Sequence, residues 1–424
     1  MKVKIKKLTL VHIVLVAYVL MILLDYKLFG IINYSGVFQG YKLNVVTVCV
    51  GLIFVNICSH KIDKNFKEEK NWIIKIAAFS FLYWLIIFGY STIKYYKQPI
   101  IVTLAEHICL LYIFWAIPLL FIMCKKNPDI IFRCINLIAF IWYVLLIIQF
   151  FKWNNSKSII FNEYISSSIR IRDYGIRLGL GSVGNVAVLY NVYLFFNENK
   201  RKYKKIFYLL LIILGGFCMM FVQQTRSTTV IVFLCIVYQL LYGIEQKNKK
   251  YGIKIALFII FMYIIFSGFL VEFVKGFSYS SSDGIGTQIR VNAISYYIDC
   301  FRKSPLFGNG FTNYKYYPNV QYGSLKNGIH FYYSDVGIFG LLGETGLGSI
   351  IFYLIPLVRL ILIAKKAFIV DRIRYSFFIS CIIYMFLTSF SLIITDSFRI
   401  ILYPIIIAYG LWVSSEIKRK GCNN

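Results

Sequence analysis

Long apolar runs, separated by short polar and basic connections, are the feature that most constrains how this chain can fold. They lie at residues 8–24, 43–58, 72–90, 99–124, 129–151, 175–196, 206–222, 227–243, 253–271, 337–364, 375–395 and 399–415. A helix that crosses a bilayer needs about 20 mostly apolar residues. The charged share of 15% is also well below the roughly 25% of soluble domains. We therefore expect an all-α polytopic integral membrane protein with about 12 transmembrane helices.

Clusters of lysine and arginine follow every second apolar run. Positive residues collect on the cytoplasmic side of membrane proteins, so this alternation predicts that both termini are cytoplasmic. The clusters lie at residues 2–7, 61–70, 125–126, 200–205, 247–250, 365–374 and 418–420. The predicted organisation is transmembrane helices 1 to 9 in residues 1–271, one long extracytoplasmic loop in 272–336 and helices 10 to 12 in 337–424.

The long loop contains one amphipathic pattern. Its apolar residues recur at three- and four-residue steps, namely Val291, Ile294, Ile298 and Phe301. Such spacing predicts a helix with one apolar face, and the helix should end before Pro305. We expect it to lie at the membrane interface with the apolar face towards lipid.

Charge and motif content exclude several function classes. A net charge of +28 would favour nucleic acid binding in a soluble domain. Here the cations lie between apolar runs, where they set topology and contact membrane lipids, so no nucleic acid is expected. The ten cysteines have no paired spacing, which argues against a disulfide framework or a zinc site. No DxD, GxxxxGK[ST], HExxH or GxSxG motif occurs, which disfavours a sugar-nucleotide transferase, an ATP-driven pump, a metalloprotease and a serine hydrolase.

Arginine is unusually frequent on the predicted outer side, where the positive-inside rule disfavours it. The outer arginines are Arg170, Arg172, Arg177, Arg226, Arg290 and Arg302. Arginine binds phosphate through a planar, bidentate fork, so a lipid-linked pyrophosphate in the outer leaflet would explain them. Arg177 and Arg226 abut or enter apolar runs, where an unpaired charge costs several kcal/mol, so function is favoured for these two over a structural ion pair. For Arg170, Arg172 and Arg302, headgroup contact is an equally good explanation.

Two histidine positions bear on the chemistry. His330 is the only histidine expected to face the outside. Glu106 and His107 are adjacent in a predicted span and could suggest a proton relay. Adjacent helical residues point about 100° apart, so we expect one of the two to face inward and be bonded and the other to lie near a neighbouring helix.

Several short motifs, in order along residues 175–350, resemble those of bacterial O-antigen polymerases and ligases. A glycine-rich span opening begins at Arg177 (RLGLGSVGN), and a later span begins with the QTRS segment around Arg226. Arg290 matches the loop arginine that heads a helix in that family. The PLFGNGF turn at residues 305–311 and the segment from His330 to the GETGLG of residues 343–348 complete the set.

The closing segment departs from the family pattern. Phe331 follows His330 where the family has Asn, and the SDVG of residues 334–337 resembles a His-Ser-Asp-x-Gly variant of capsule polymerases. In that alignment Tyr333 stands in the histidine position. Either His330 or Asp335 can therefore carry the role of the family's histidine.

The resemblance implies a multi-pass glycosyltransferase of the bacterial cytoplasmic membrane that uses polyprenyl-diphosphate-linked oligosaccharides, with no cofactor and no metal. In that interpretation Arg177, Arg226 and Arg290 bind the diphosphate. His330, with Asp335 in reserve, accepts the proton of the attacking sugar hydroxyl, and the anomeric centre inverts.

The substrate loop of the predicted enzyme includes Gly308, Gly310 and Tyr333. The two glycines are expected to shape a turn rather than to touch substrate. The loop tyrosines could stack on sugars or lie at the membrane interface, and both explanations stay open.

The leading prediction is a polymerase that joins repeat units of a surface polysaccharide. The alternatives are an O-antigen ligase, which transfers a finished glycan to a terminal acceptor, a flippase for lipid-linked oligosaccharides, and an inactive scaffold. A flippase should have charged residues along a central path and no long outer loop, which this sequence does not favour. The expected partners are the lipid-linked donor and acceptor, and the resemblance leaves room for a chain-length regulator.

Overall fold

Helices make up nearly all of the regular structure. A computed structural model describes residue 19 and residues 67–107, 110–111, 117, 121, 124, 127–160, 170–172, 175–178, 181–197, 202–223, 225–244, 282–313, 315–318, 331–392, 400 and 402–421. The α-helices there are α1 (Lys67–Lys94), α2 (Ile100–Ala105), α3 (Asp129–Ser156), α4 (Gly181–Asn197), α5 (Lys202–Phe217), α6 (Arg226–Tyr242), α7 (Ser282–Lys303), α8 (Ile338–Thr345), α9 (Ile355–Asp371), α10 (Ser376–Thr388) and α11 (Leu402–Gly421). The predicted all-helical class is confirmed for this part of the chain. The only sheet within it is a small antiparallel hairpin of β1 (Arg170–Arg172) and β2 (Gly175–Arg177).

Within the described residues, three helices are long and apolar enough to cross a membrane. They are Glu68–Lys94, Asp129–Ser156 and Lys202–Gln223, the last combining α5 with a π-helical continuation, Cys218–Gln223. They coincide with the predicted runs at 72–90, 129–151 and 206–222. Two shorter apolar helices, Ser227–Tyr242 and Ser376–Thr388, match the runs at 227–243 and 375–395. The full count of about 12 spans and the cytoplasmic termini stay predictions, and the runs at 43–58 and 253–271 lie outside the described residues.

Polar side chains fix the alignment of α3 and α4. Asn136 and Asn191 exchange two amide hydrogen bonds of 2.8 and 2.9 Å, and Tyr143 Oη donates to the carbonyl oxygen of Gly184 at 2.6 Å. The two helices are therefore antiparallel, because residue number falls along one as it rises along the other. Lipid tails are as apolar as leucine, so close packing and such hydrogen bonds hold membrane helices together.

One end of the bundle carries a group of ion pairs. Lys418 near the end of α11 contacts Glu68 and Glu69 in the first turn of α1, at 2.5 and 2.8 Å. Lys420 lies 3.8 Å from Asp371, the last residue of α9. The structure thus brings together three segments whose basic clusters the sequence assigns to the same side of the membrane.

Two predicted spans are interrupted. In the run at 99–124, α2 ends at Ala105 and is followed by a turn at Glu106 and His107, because both side chains are drawn to polar partners elsewhere in the chain. The run at 337–364 begins as the short α8 and turns at Gly346, whose φ is 56°. It continues through a π-helical segment, Ile350–Leu354, into α9.

The amphipathic helix of the long loop is confirmed as α7, which ends at Lys303, two residues before Pro305. Its predicted apolar face is partly wrong. Val291 is 54% exposed, whereas Ala293 and Tyr297 are buried against Phe331 and Val336. The buried stripe is rotated towards Tyr297, which is fully buried and donates a hydrogen bond from its hydroxyl to the carbonyl oxygen of Phe331 at 3.0 Å.

Candidate active site

The backbone brings the Arg177 and Arg226 segments together. The N–H of Leu178, directly after Arg177 in β2, donates to the carbonyl oxygen of Val222 at 2.9 Å. Val222 lies in the π-helical turn that precedes α6, and Arg226 is the first residue of α6. The two predicted diphosphate ligands therefore belong to neighbouring segments, although they are 49 positions apart in the sequence.

Helix α6 runs antiparallel to α10, and this pairing determines at which end of the two helices Arg226 lies. The Cys235 thiol donates to the carbonyl oxygen of Ser380 at 3.5 Å, and Gly243 packs against Ser376. Arg226 precedes Cys235 by nine residues, and Ser389 follows Ser380 by nine. Both stretches cover about 14 Å at the α-helical rise, so Arg226 and Ser389 lie at the same end of the helix pair.

Asp335 lies near that same end of the α6–α10 helix pair. Tyr333, Ser334 and Asp335 form one turn of 3₁₀-helix, and the N–H of Ile338 then donates to the carbonyl oxygen of Ser389 at 2.7 Å. Gly337 makes this approach possible, because its φ is 61° and a Cβ there would lie only 2.0 Å from that oxygen. Asp335 itself is half-buried.

Arg290 lies on the helix that packs beside this turn. Helix α7 contacts both the Tyr333–Asp335 turn and α8. Ile289, the neighbour of Arg290, packs on the same apolar cluster as Tyr333. Arg290 itself is exposed on the first half of α7. His330 lies outside the described residues, so its predicted role is untested.

The predicted substrate loop is hydrogen-bonded to the last turn of α8. Gly308 and Gly310 have φ values of 59° and 79°, as a tight turn requires. The N–H groups of Asn309 and Gly310 donate to the carbonyl oxygens of Gly343 and Glu344 at 2.8 and 2.9 Å. Both glycines shape the turn, as expected, and their contact with substrate stays a prediction.

The family model of O-antigen ligase matches residues 207–354. These residues are similar to the O-antigen ligase family, and we refer to them as the O-antigen ligase domain. The match confirms, over these residues, the resemblance that the motifs indicate, and it contains Arg226, Arg290 and Asp335. No curated protein matches the chain. The apolar helices and this domain identify a membrane protein related to glycosyltransferase-like enzymes of O-antigen biosynthesis.

A buried histidine–glutamate pair joins the O-antigen ligase domain to the segment before it. His107 Nε2 lies 2.5 Å from Glu344 Oε2, and the two side chains are only 6% and 4% exposed. The neighbouring Glu106 accepts a hydrogen bond of 2.5 Å from the Asn313 amide. The expectation that only one of the two residues is bonded is wrong, because Glu106 and His107 both have polar partners, and both partners belong to the O-antigen ligase domain.

The pair between His107 and Glu344 could not be found from local sequence. The two residues are 237 positions apart, and Glu344 occurs in a glycine motif that was assigned only by resemblance. The one signal in the sequence is that Glu106 and His107 lie in an apolar run, where burying an ionisable residue without a partner is costly.

The described part of the O-antigen ligase domain and its surroundings have no evident metal site. Among the residues that the structure describes, no group of three or more His, Cys, Asp and Glu side chains is close enough to hold an ion.

Proposed function

We propose that the chain is a polysaccharide polymerase, which joins polyprenyl-diphosphate-linked oligosaccharide repeat units on the outer face of the bacterial cytoplasmic membrane. The observation that carries the proposal is the meeting, at one end of the helices, of the segments bearing Arg177 and Arg226 with the turn that ends at Asp335. Arg290 lies on the adjacent α7, which contacts this turn, and it is the third arginine of the proposed site.

The proposed reaction is a single displacement at the anomeric carbon of the donor. The acceptor hydroxyl oxygen forms the new bond to this carbon as the bond to the diphosphate oxygen breaks, and the lipid diphosphate leaves with the bonding electrons. Guanidinium groups stabilise the growing negative charge, because pre-placed donors in a low-dielectric site need no reorganisation during the reaction. The hydroxyl proton passes to His330 or Asp335, whose side chains can act as a general base. Attack from the side opposite the diphosphate inverts the anomeric centre.

A ligase is the second candidate, because the matching family is described as O-antigen ligase. Polymerase and ligase share the donor, the leaving group and the arginines. They differ in the acceptor, which is another lipid-linked repeat unit for a polymerase and a terminal lipid for a ligase.

The test is an elongation assay with the protein in nanodiscs and a lipid-linked repeat unit as the sole substrate. The proposed polymerase makes a ladder of longer glycans, and Arg226→Ala lowers kcat by about 10²- to 10³-fold, as for the loss of one oxyanion donor. Arg133→Ala is the matched control, since this exposed arginine lies in the first turns of α3, at the other end of the helices, and pairs only weakly with Asp129.

Three outcomes would overturn parts of the proposal. A single transfer to an added terminal lipid acceptor, with no ladder, identifies a ligase. Movement of the lipid-linked unit across vesicles without any glycan product identifies a flippase. An unchanged rate in Arg226→Ala removes the arginine from the site.

A further inference from the structure

The buried pair of His107 and Glu344 has no part in the chemistry proposed above. Its 2.5 Å separation places one proton between imidazole Nε2 and the carboxylate, with both side chains almost fully enclosed. Breaking a buried pair by removing one partner leaves the other polar group stranded, which is far more damaging than removing both. A pair of this kind is therefore a strong local constraint.

The pair contacts two turns of the candidate site at once. The His107 ring stacks on Phe311 at the end of the substrate-loop turn, with centroids 5.3 Å apart and planes within 10°. The same ring lies 5.5 Å from the ring of Tyr333, which opens the turn ending at Asp335. The carbonyl oxygen of Glu344 also accepts a hydrogen bond from the N–H of Gly310 in the first of these turns.

The backbone at His107 is itself held in an uncommon conformation. Its φ is 53°, which few residues other than glycine adopt. Its carbonyl oxygen accepts hydrogen bonds from the Trp84 indole at 3.2 Å and from the N–H of Leu110 at 2.9 Å. Such a conformation persists when the surroundings determine it, and it aims the imidazole at Glu344.

We infer that His107 and Glu344 form a latch that holds the Pro305–Phe311 turn and the Tyr333–Asp335 turn in register, so that the two are positioning residues of the glycosyl-transfer site. The latch acts through Phe311 and Tyr333 and touches no sugar. Its effect on rate rests on the proposed function, whereas its effect on the loop does not.

The kinetic test compares a breaking and a conservative variant in the elongation assay. His107→Leu removes the pair and should lower kcat by about 10²-fold, the loss expected when reacting groups are misplaced by about 1 Å. The KM for the lipid-linked unit should change little, because the arginines remain. His107→Gln can place an amide N–H near the former Nε2 and should retain most of kcat.

A double variant separates positioning from simple loss of stability. In His107→Leu/Glu344→Leu no polar group is stranded, so thermal stability should return towards the wild-type value while kcat stays low. Asn136→Leu/Asn191→Leu is the matched control, because it removes another buried pair, between α3 and α4. It should leave kcat per folded protein unchanged. Recovery of kcat together with stability in the His107 and Glu344 double variant would overturn the positioning role.

A labelling experiment tests the latch without any enzymatic activity. Asn309 in the turn donates an amide hydrogen bond to the half-buried Cys300 thiol at 3.3 Å, so the closed turn protects this cysteine. In His107→Leu the turn should loosen, and maleimide labelling of the Cys300 peptide, followed by mass spectrometry, should rise severalfold. If the wild-type protein makes no glycan but labelling rises, the proposed function fails and the latch holds. Unchanged labelling in His107→Leu overturns the latch.

Discussion

Replacing Gly337 by alanine should detach the Asp335 turn from the helix end that supports it. A Cβ at residue 337 would lie 2.0 Å from the carbonyl oxygen of Ser389 and 3.0 Å from the carbonyl carbon of Phe390. Ordinary van der Waals contact begins at 3.4 Å, so the turn must move away by about 1.4 Å. Gly337 has a φ of 61° and a ψ of −131°, a conformation that glycine adopts far more easily than other residues, and this adds a further cost of roughly 1–3 kcal/mol for any residue with a Cβ.

The expected consequence is a large loss of rate with a modest loss of stability. A displacement of 1 Å at a reacting group costs about 10²-fold in rate, so kcat of Gly337→Ala should fall by at least that factor. The free energy of unfolding should fall by a few kcal/mol, the usual range for a strained backbone position in a protein of this kind. The assay is the elongation ladder in nanodiscs, normalised to the folded fraction from thermal unfolding.

Gly89→Ala is the matched control for this substitution. Gly89 lies inside α1, and a Cβ there would meet nothing within 4 Å. Alanine favours the helix by about 0.5–1 kcal/mol over glycine, so this variant should be as active as the wild type and slightly more stable. Wild-type kcat in Gly337→Ala would refute the placement of Asp335 on the end of α10.

Three further outcomes can be checked on the same protein. Asn136→Leu alone should lower the free energy of unfolding by about 1–3 kcal/mol, because it strands the Asn191 amide, and the double replacement should recover much of this in thermal unfolding. Lys418→Ala should lower the free energy of unfolding by about 1–3 kcal/mol, because the Glu69 side chain is only 2% exposed and loses its charged partner, whereas the pair with the exposed Glu68 contributes little. Burial raises the pKa of the Cys300 thiol, so the midpoint of its alkylation rate against pH should lie above that of a free cysteine, and a midpoint at or below that value would contradict the closed turn.

The long elements could be predicted from sequence because their signals are local. The apolar runs at 72–90, 129–151 and 206–222 recur as helices, and Pro305 marks the end of α7 closely. The orientation of α7 could not be predicted in the same way. Its buried face depends on Tyr297, whose apolar ring packs inside while its hydroxyl finds a carbonyl partner on a distant segment.

The candidate site, like the fold, could be predicted only where its sequence signals are local. Motif resemblance indicated Arg226, Gly310 and Asp335 individually, but their common location depends on contacts such as that between Leu178 and Val222, which no local pattern encodes. The pair of His107 and Glu344 was beyond sequence reasoning for this reason also. An apolar run interrupted by two ionisable residues shows only that partners exist somewhere, not which residues they are.

Helix α1 has a consequence for how the protein is made. One of its ends is fastened to Lys418, which lies 350 positions further along the chain. At its other end Tyr95 and Ser91 bond the turn at Asn309 and Phe311. A ribosome must therefore synthesise residues up to 418 before this early helix acquires its partners at both ends. Until then the unpaired flank of α1 lies in lipid or beside the insertion machinery, so this helix is inserted well before it is packed.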